Sequence, residues 1–227
     1  AGNKLPLVKN ALNMLTGQLT AEDRISLVTY ASGTRVVLPP TPGDRKWEIR
    51  NAVNGLAAGG GTNGGAGIKL AYAEAQKAMI EGGINRILLA TDGDLNMGMT
   101  EVDALQKLVE DKREAGVSLS VLGFGTGNYN EHLLEHVANH GNGNYAYIDT
   151  LSEAKKVLVD EISSTLFTVA KDVKLQVEFN PAIVSEYRLV GYENRALKRE
   201  DFNNDKVDAG EIGAGHTVTA IYEVALV

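Results

Sequence analysis

The chain has 227 residues, no cysteine, and 29 acidic against 22 basic side chains, which give a formal net charge of -7. This length can bury a substantial core without cross-links, and the lack of cysteine excludes a disulfide framework, a thiolate metal site and a cysteine nucleophile. The negative charge opposes nucleic-acid phosphates, and no apolar run reaches the roughly 18–20 residues of a membrane span. We therefore expect neither a nucleic-acid partner nor a membrane span in this chain.

The first part of the chain alternates segments of helical periodicity with short apolar runs, which predicts βαβ units around a parallel sheet. Ile87–Ala90 is apolar on both faces, as a buried parallel strand is, whereas Pro39 and Pro40 are predicted to stop a strand near a sheet edge. In chain order, the sequence predicts a helix over Val8–Leu19, strands at Ile25–Tyr30 and Arg35–Leu38, helices at Lys46–Leu56 and Ile68–Met79, a strand at Ile87–Ala90, a helix at Val102–Val109, a strand at Val117–Phe124, a helix at Asn130–Asn139, a strand at Tyr145–Asp149 and a helix from Thr150 to about Phe167.

The pattern changes at Val173–Phe179, where apolar and polar residues alternate as in a half-exposed strand. Similar stretches at Tyr187–Tyr192 and Thr217–Val227 are separated by turn-rich segments, which predicts a small antiparallel β unit. We therefore expect two domains, residues 1–169 and residues 170–227.

Thr62 lies in the glycine-rich loop Gly59–Gly67, which contains a formal G-x-G-x-x-G pattern. The loop follows a helical stretch rather than a strand and lacks a Gly-Lys-Ser/Thr ending, so the pattern does not favour nucleotide binding. A flexible connection between helices is one interpretation. The other is that the glycines let the backbone bend closely around something bound at Thr62.

Asp92 directly follows the apolar run Ile87–Ala90. Ligands of open α/β sheets bind at the carboxyl ends of the strands, and a carboxylate there needs a cation, hydrogen bonds or water to offset its desolvation. The alternative is that Asp92 caps the next turn.

Two further motifs keep an enzyme open as an alternative. Gly123–Asn128 lies between a strand and a helix, as a nucleotide-binding loop does, although Asn128 stands where the third glycine belongs. His132–His136 fits H-x-x-E-H, in which two imidazoles hold zinc and Glu135 acts as base. The same five residues also fit an ordinary solvated helix face.

Taken together, the order of elements, Gly60-Gly61-Thr62 before a helix, and Leu88–Gly93 resemble a von Willebrand factor type A domain over about residues 1–168. The resemblance implies a doubly wound, mostly parallel Rossmann-like sheet and a metal-ion-dependent adhesion site of three loops. Thr62 and Asp92 match its threonine and aspartate loops. Their oxygen atoms suit Mg²⁺, Mn²⁺ or Ca²⁺, and an open coordination position would accept an acidic side chain of a protein partner.

The chain departs from that family at its start, since it lacks the first strand and the D-x-S-x-S loop that follows it. We expect a fragment of a longer protein, with a strand swapped between molecules as the other way to complete the sheet. Residues 171–227 resemble the β-rich segment that trails this domain in bacterial envelope or secreted proteins, which implies an extracytoplasmic location.

The function that the resemblance implies is a non-enzymatic, divalent-cation-dependent protein-binding or adhesion module. A structural scaffold with an unused metal site is one alternative. A nucleotide-binding or zinc-dependent enzyme is the other.

Overall fold

A computed structural model describes residues 4–31, 33–59, 63–92, 99–124, 131–160, 168–191, 197–204, 210–213, 215 and 217–227. The chain divides into two compact units, Ala1–Ile162 and Ser163–Val227. The first unit contains α1 (Lys4–Gln18), β1 (Arg24–Tyr30), β2 (Thr34–Pro42), α2 (Lys46–Asn54), α3 (Gly64–Lys77), β3 (Asn85–Thr91), α4 (Met99–Glu114), β4 (Val117–Phe124), α5 (Glu131–His140), β5 (Tyr145–Ile148) and α6 (Leu151–Lys155), which continues as a π-helical turn over Lys156–Asp160. The second contains β6 (Thr168–Val173), β7 (Val184–Val190), a 3-10 turn at Arg199–Asp201, β8 (Gly210–Gly213) and β9 (Ile221–Leu226).

The strands β3, β4 and β5 form a parallel sheet in that order. Leu89 of β3 lies opposite Val121 of β4, and Leu122 of β4 lies opposite Ala146 of β5. The strands β1 and β2 form a separate antiparallel pair. Because β3, β4 and β5 run in the same direction, their carboxyl ends lie at one edge of the sheet.

Helices cover both faces of the parallel sheet. Ile87 and Leu89 of β3 belong to a buried cluster with residues of α3, α4 and α5, whereas the alternate residues Leu88 and Ala90 pack against a second cluster with residues of α1 and α6. Successive side chains of a strand point to opposite faces, so this division places helices above and below the sheet. The expected α/β fold with a doubly wound, mostly parallel sheet is confirmed.

The sequence prediction ended the second strand too early. Pro39 and Pro40 lie inside β2, which continues to Pro42. Within the described residues, β2 pairs only with β1, so the other side of β2 is a sheet edge. An edge strand tolerates proline because the N–H that proline lacks would have no partner strand.

The second unit contains two antiparallel pairs, β6 with β8 and β7 with β9, which confirms the small antiparallel β region. The predicted strand at Val173–Phe179 is wrong, since β6 ends at Val173. Phe179 instead packs its ring on Tyr187 and Tyr222, with centroid distances of 4.7 and 5.3 Å. The Phe179 side chain therefore packs in an aromatic cluster although its backbone is not part of a strand.

The helices in the described part of the chain include none that is long and apolar enough to cross a membrane.

Candidate functional site

The start of α3 is tied to the end of β1. The backbone N–H of Asn63 donates to the carbonyl oxygen of Ala31 at 3.2 Å, and the Asn63 side chain caps α3 by accepting from the N–H of Ala66 at 3.2 Å. An asparagine at this position satisfies an N–H group that has no partner inside the helix. Thr62 precedes Asn63 directly and lies outside the described residues.

Tyr30, the last residue of β1, reaches across to β3. Its hydroxyl donates a hydrogen bond to the carbonyl oxygen of Ala90 at 2.9 Å. Gly67 of α3 makes room for this side chain, because a Cβ atom at Gly67 would lie only 2.6 Å from the Cβ of Tyr30. The end of β1, the start of α3 and the end of β3 are therefore held together at the edge where ligands of such sheets bind.

Asp92 follows β3 at this edge. Thr91 before it is buried, with 5% exposure, whereas half of the Asp92 side chain is exposed. The ammonium group of Lys4, in the first turn of α1, lies 3.8 Å from Asp92 Oδ2 and donates to the Asp92 backbone oxygen at 3.4 Å. The carboxylate thus already faces a positive charge while remaining open to solvent.

Thr91 and Asp92 also affect the pKa of the Tyr30 hydroxyl. Burial raises the pKa of Tyr30, a hydrogen bond with Thr91 opposes the rise, and the Asp92 carboxylate adds to it. Tyr30 is consequently a neutral hydrogen-bond donor at physiological pH. It stabilises the strand ends without adding charge beside Asp92.

Sequence reasoning did not identify Lys4 and Tyr30 as parts of this region. Each of them reaches its partner over a long distance in sequence, 88 residues for Lys4 and 60 for Tyr30.

The helix α5, through His136 and His140, forms a polar cluster with α4. His136 Nε2 contacts Gln106 Oε1 at 3.0 Å, and His140 Nε2 lies 3.6 Å from Glu110 Oε1. Burial and the neighbouring His140 lower the pKa of His136, and Glu110 opposes that change. The side chain of His132 lies outside the described residues.

Within the ranges that the structure describes, no group of three or more His, Asp or Glu side chains could hold a metal ion. The zinc alternative therefore gains no support from the described part of α5. The nucleotide-binding alternative concerns the loop Gly123–Asn128, of which residues 125–128 lie outside the described residues.

A comparison with family models decides the classification of the first unit. The model "von Willebrand factor type A domain" matches residues 1–161. The chain belongs to this family. A second model, "Uncharacterized protein YfbK, C-terminal", matches residues 164–227. Von Willebrand factor type A domains commonly mediate metal-dependent protein interactions.

The chain is similar to parts of longer bacterial proteins. The chain is 54% identical to the protein YfbK of Escherichia coli (strain K12) over 223 residues, which are 98% of this chain and 39% of that protein. It is 31% identical to the protein sll0103 of Synechocystis over 153 residues, 67% of this chain and 36% of the relative. The chain therefore spans well under half the length of both relatives.

Solved structures show the same von Willebrand type A fold. The protein BatB of Bacteroides thetaiotaomicron matches 70% of this chain and 86% of its own, with a TM-score of 0.58 and 23% identity. Proximal thread matrix protein 1 of the mussel byssus, solved with a zinc-occupied MIDAS motif, matches 70% of this chain and 42% of its own, with a TM-score of 0.52 and 18% identity.

Proposed function

We propose that this chain is a non-enzymatic module that binds a protein partner through a divalent cation held by Thr62 and Asp92. The observation that carries the proposal is the Asp92 carboxylate, which directly follows the carboxyl end of β3 and is half exposed. A half-exposed carboxylate is open to a cation from solvent, and carboxylate oxygens are ligands of hard divalent cations.

The donor set favours a hard cation. A hydroxyl and a carboxylate, completed by water, are ligands that Mg²⁺, Mn²⁺ and Ca²⁺ prefer, and we propose Mg²⁺ as the resident ion. The zinc-occupied MIDAS motif of the mussel byssus protein, which shares the fold, supports a divalent cation as the bound ion. A coordination position left to water would accept the acidic side chain of a partner.

The family and the relatives support an interaction role over an enzymatic one. Domains of this family commonly mediate metal-dependent protein interactions, and the related chains include bacterial proteins. We propose an extracytoplasmic location, at the bacterial envelope or secreted, where adhesion through a metal would operate. A scaffold with an unused metal site is the competing function.

Calorimetric titration of Mg²⁺ and Mn²⁺ tests the proposed metal site. Loss of a group that only orients a ligand already costs about 10–100-fold in metal affinity, so Asp92→Asn should weaken binding by at least about ten-fold. Thr62→Ala should also weaken it, because the hydroxyl is lost. Asp149→Asn is the matched control, since Asp149 is an exposed carboxylate directly after β5, and it should leave the affinity unchanged.

Two outcomes would contradict the metal site. Metal binding that survives Asp92→Asn would place the ion elsewhere. A wild-type chain that releases no binding heat with either ion would favour the scaffold. In that case, partner binding should persist in the presence of a chelator.

We also propose that a strand from a second molecule completes the sheet. Within the described residues, β1 pairs only with β2 and β3 pairs only with β4, so each strand has one edge without a strand partner. Edges of this kind are templates for pairing with another chain. Light scattering after size exclusion should show a dimer whose share rises with protein concentration. A monomer at every concentration would contradict strand exchange.

A further inference from the structure

Lys4 places a fixed positive charge at the candidate metal ligand. Its ammonium group lies 3.8 Å from Asp92 Oδ2 and donates to the Asp92 backbone oxygen at 3.4 Å, so it contacts both the carboxylate and the backbone of Asp92. We propose that Lys4 is a tethered cation that competes with the divalent ion for Asp92 and so limits the metal affinity of the site. This inference rests on the proposed metal-binding function.

The geometry makes the Lys4–Asp92 pair displaceable. The two side chains are 25% and 50% exposed, and ion pairs open to water are weak. A divalent ion bound to Asp92 would lie close to the ammonium group, and their mutual repulsion would be several times the thermal energy in a partly solvated site. The Lys4 ammonium group therefore has to move away from Asp92 for metal to bind. Because its side chain is partly exposed, it can move into solvent.

Lys9 provides the matched control on the same helix. Its ammonium group donates to the carbonyl oxygen of Asn54, in α2, at 2.8 Å. Replacing Lys9 removes one positive charge from α1, as replacing Lys4 does, but removes none beside Asp92. A difference between the two variants therefore reports the local charge and excludes a general change in net charge.

The experiment is calorimetric titration of Mn²⁺ and Mg²⁺ into the wild-type chain and the variants Lys4→Met, Lys4→Arg and Lys9→Met, with thermal melts to verify folding. We expect Lys4→Met to bind metal roughly three- to ten-fold more tightly than the wild type, because one exposed ion pair and one repulsion are removed. Lys4→Arg keeps the charge and should bind like the wild type, as should Lys9→Met. The advantage of Lys4→Met should shrink at high salt, where exposed charges are screened.

The outcomes separate this inference from the function on which it rests. Equal affinities of the wild type and Lys4→Met, with binding weakened at least about ten-fold in Asp92→Asn, would overturn the competition and leave the metal site in place. Equal gains in Lys4→Met and Lys9→Met, or weaker binding by Lys4→Met, would also overturn it. If no variant, including Lys4→Met, binds either ion, the proposed function fails and the competition fails with it.

Discussion

A Gly143→Ala variant is expected to lose about 3 kcal/mol of unfolding free energy in the first unit. A Cβ atom at Gly143 would overlap the backbone carbonyl group of Leu119 and lie 2.8 Å from the backbone nitrogen of Ser120, both in β4. The segment cannot easily move away. Gly141 accepts from the N–H of Leu119, and Asn144 accepts from the N–H of Val121, each at 2.9 Å.

Gly17→Ala is the control for this prediction. Gly17 lies in α1, and a Cβ atom there would meet nothing within 4 Å. Alanine is better than glycine inside a helix by about 0.5–1 kcal/mol, so this variant should be as stable as the wild type or more stable. Urea unfolding followed by circular dichroism measures both variants. Similar unfolding free energies for the two would show that 141–144 does not lie closely against β4.

The fold of the first unit could be predicted because its apolar pattern is strong. Ile87–Ala90 is apolar on both faces, and its alternate side chains do pack against helices on opposite sides of the sheet. The extension of β2 through Pro39 and Pro40 could not be read in the same way. Whether a proline interrupts a strand depends on which edge of the sheet it faces, and that is a property of the tertiary fold.

Only part of the candidate site could be predicted from the sequence. The residues before Asp92 predict that it lies at a strand end, and the structure puts it directly after β3. Its ionic partner Lys4 lies in α1, and the bridging residue Tyr30 ends β1, so both come from elements far from Asp92 in the sequence. No local pattern encodes a contact between residues 88 positions apart.

A Phe124→Ala variant should lose about 3–4 kcal/mol of unfolding free energy, the cost of removing a large buried side chain and leaving a cavity. Phe124 is the last residue of β4 and is 2% exposed, in one buried cluster with Ala11 and Leu15 of α1. Phe124→Leu keeps most of the apolar volume and should lose only about 1 kcal/mol. Leu226→Ala, at a side chain that is 69% exposed in β9, should lose less than about 0.5 kcal/mol.

This cluster matters to the candidate site because α1 carries Lys4. Phe124 helps to hold α1 against the sheet, and the first turn of α1 presents the Lys4 ammonium group to Asp92. Under conditions where Phe124→Ala is still folded, a loosened α1 should hold Lys4 less firmly, and Mn²⁺ affinity should rise toward that of Lys4→Met. Adding Lys4→Met to Phe124→Ala should then give no further gain. Independent, additive gains would show that α1 does not position Lys4 through this packing.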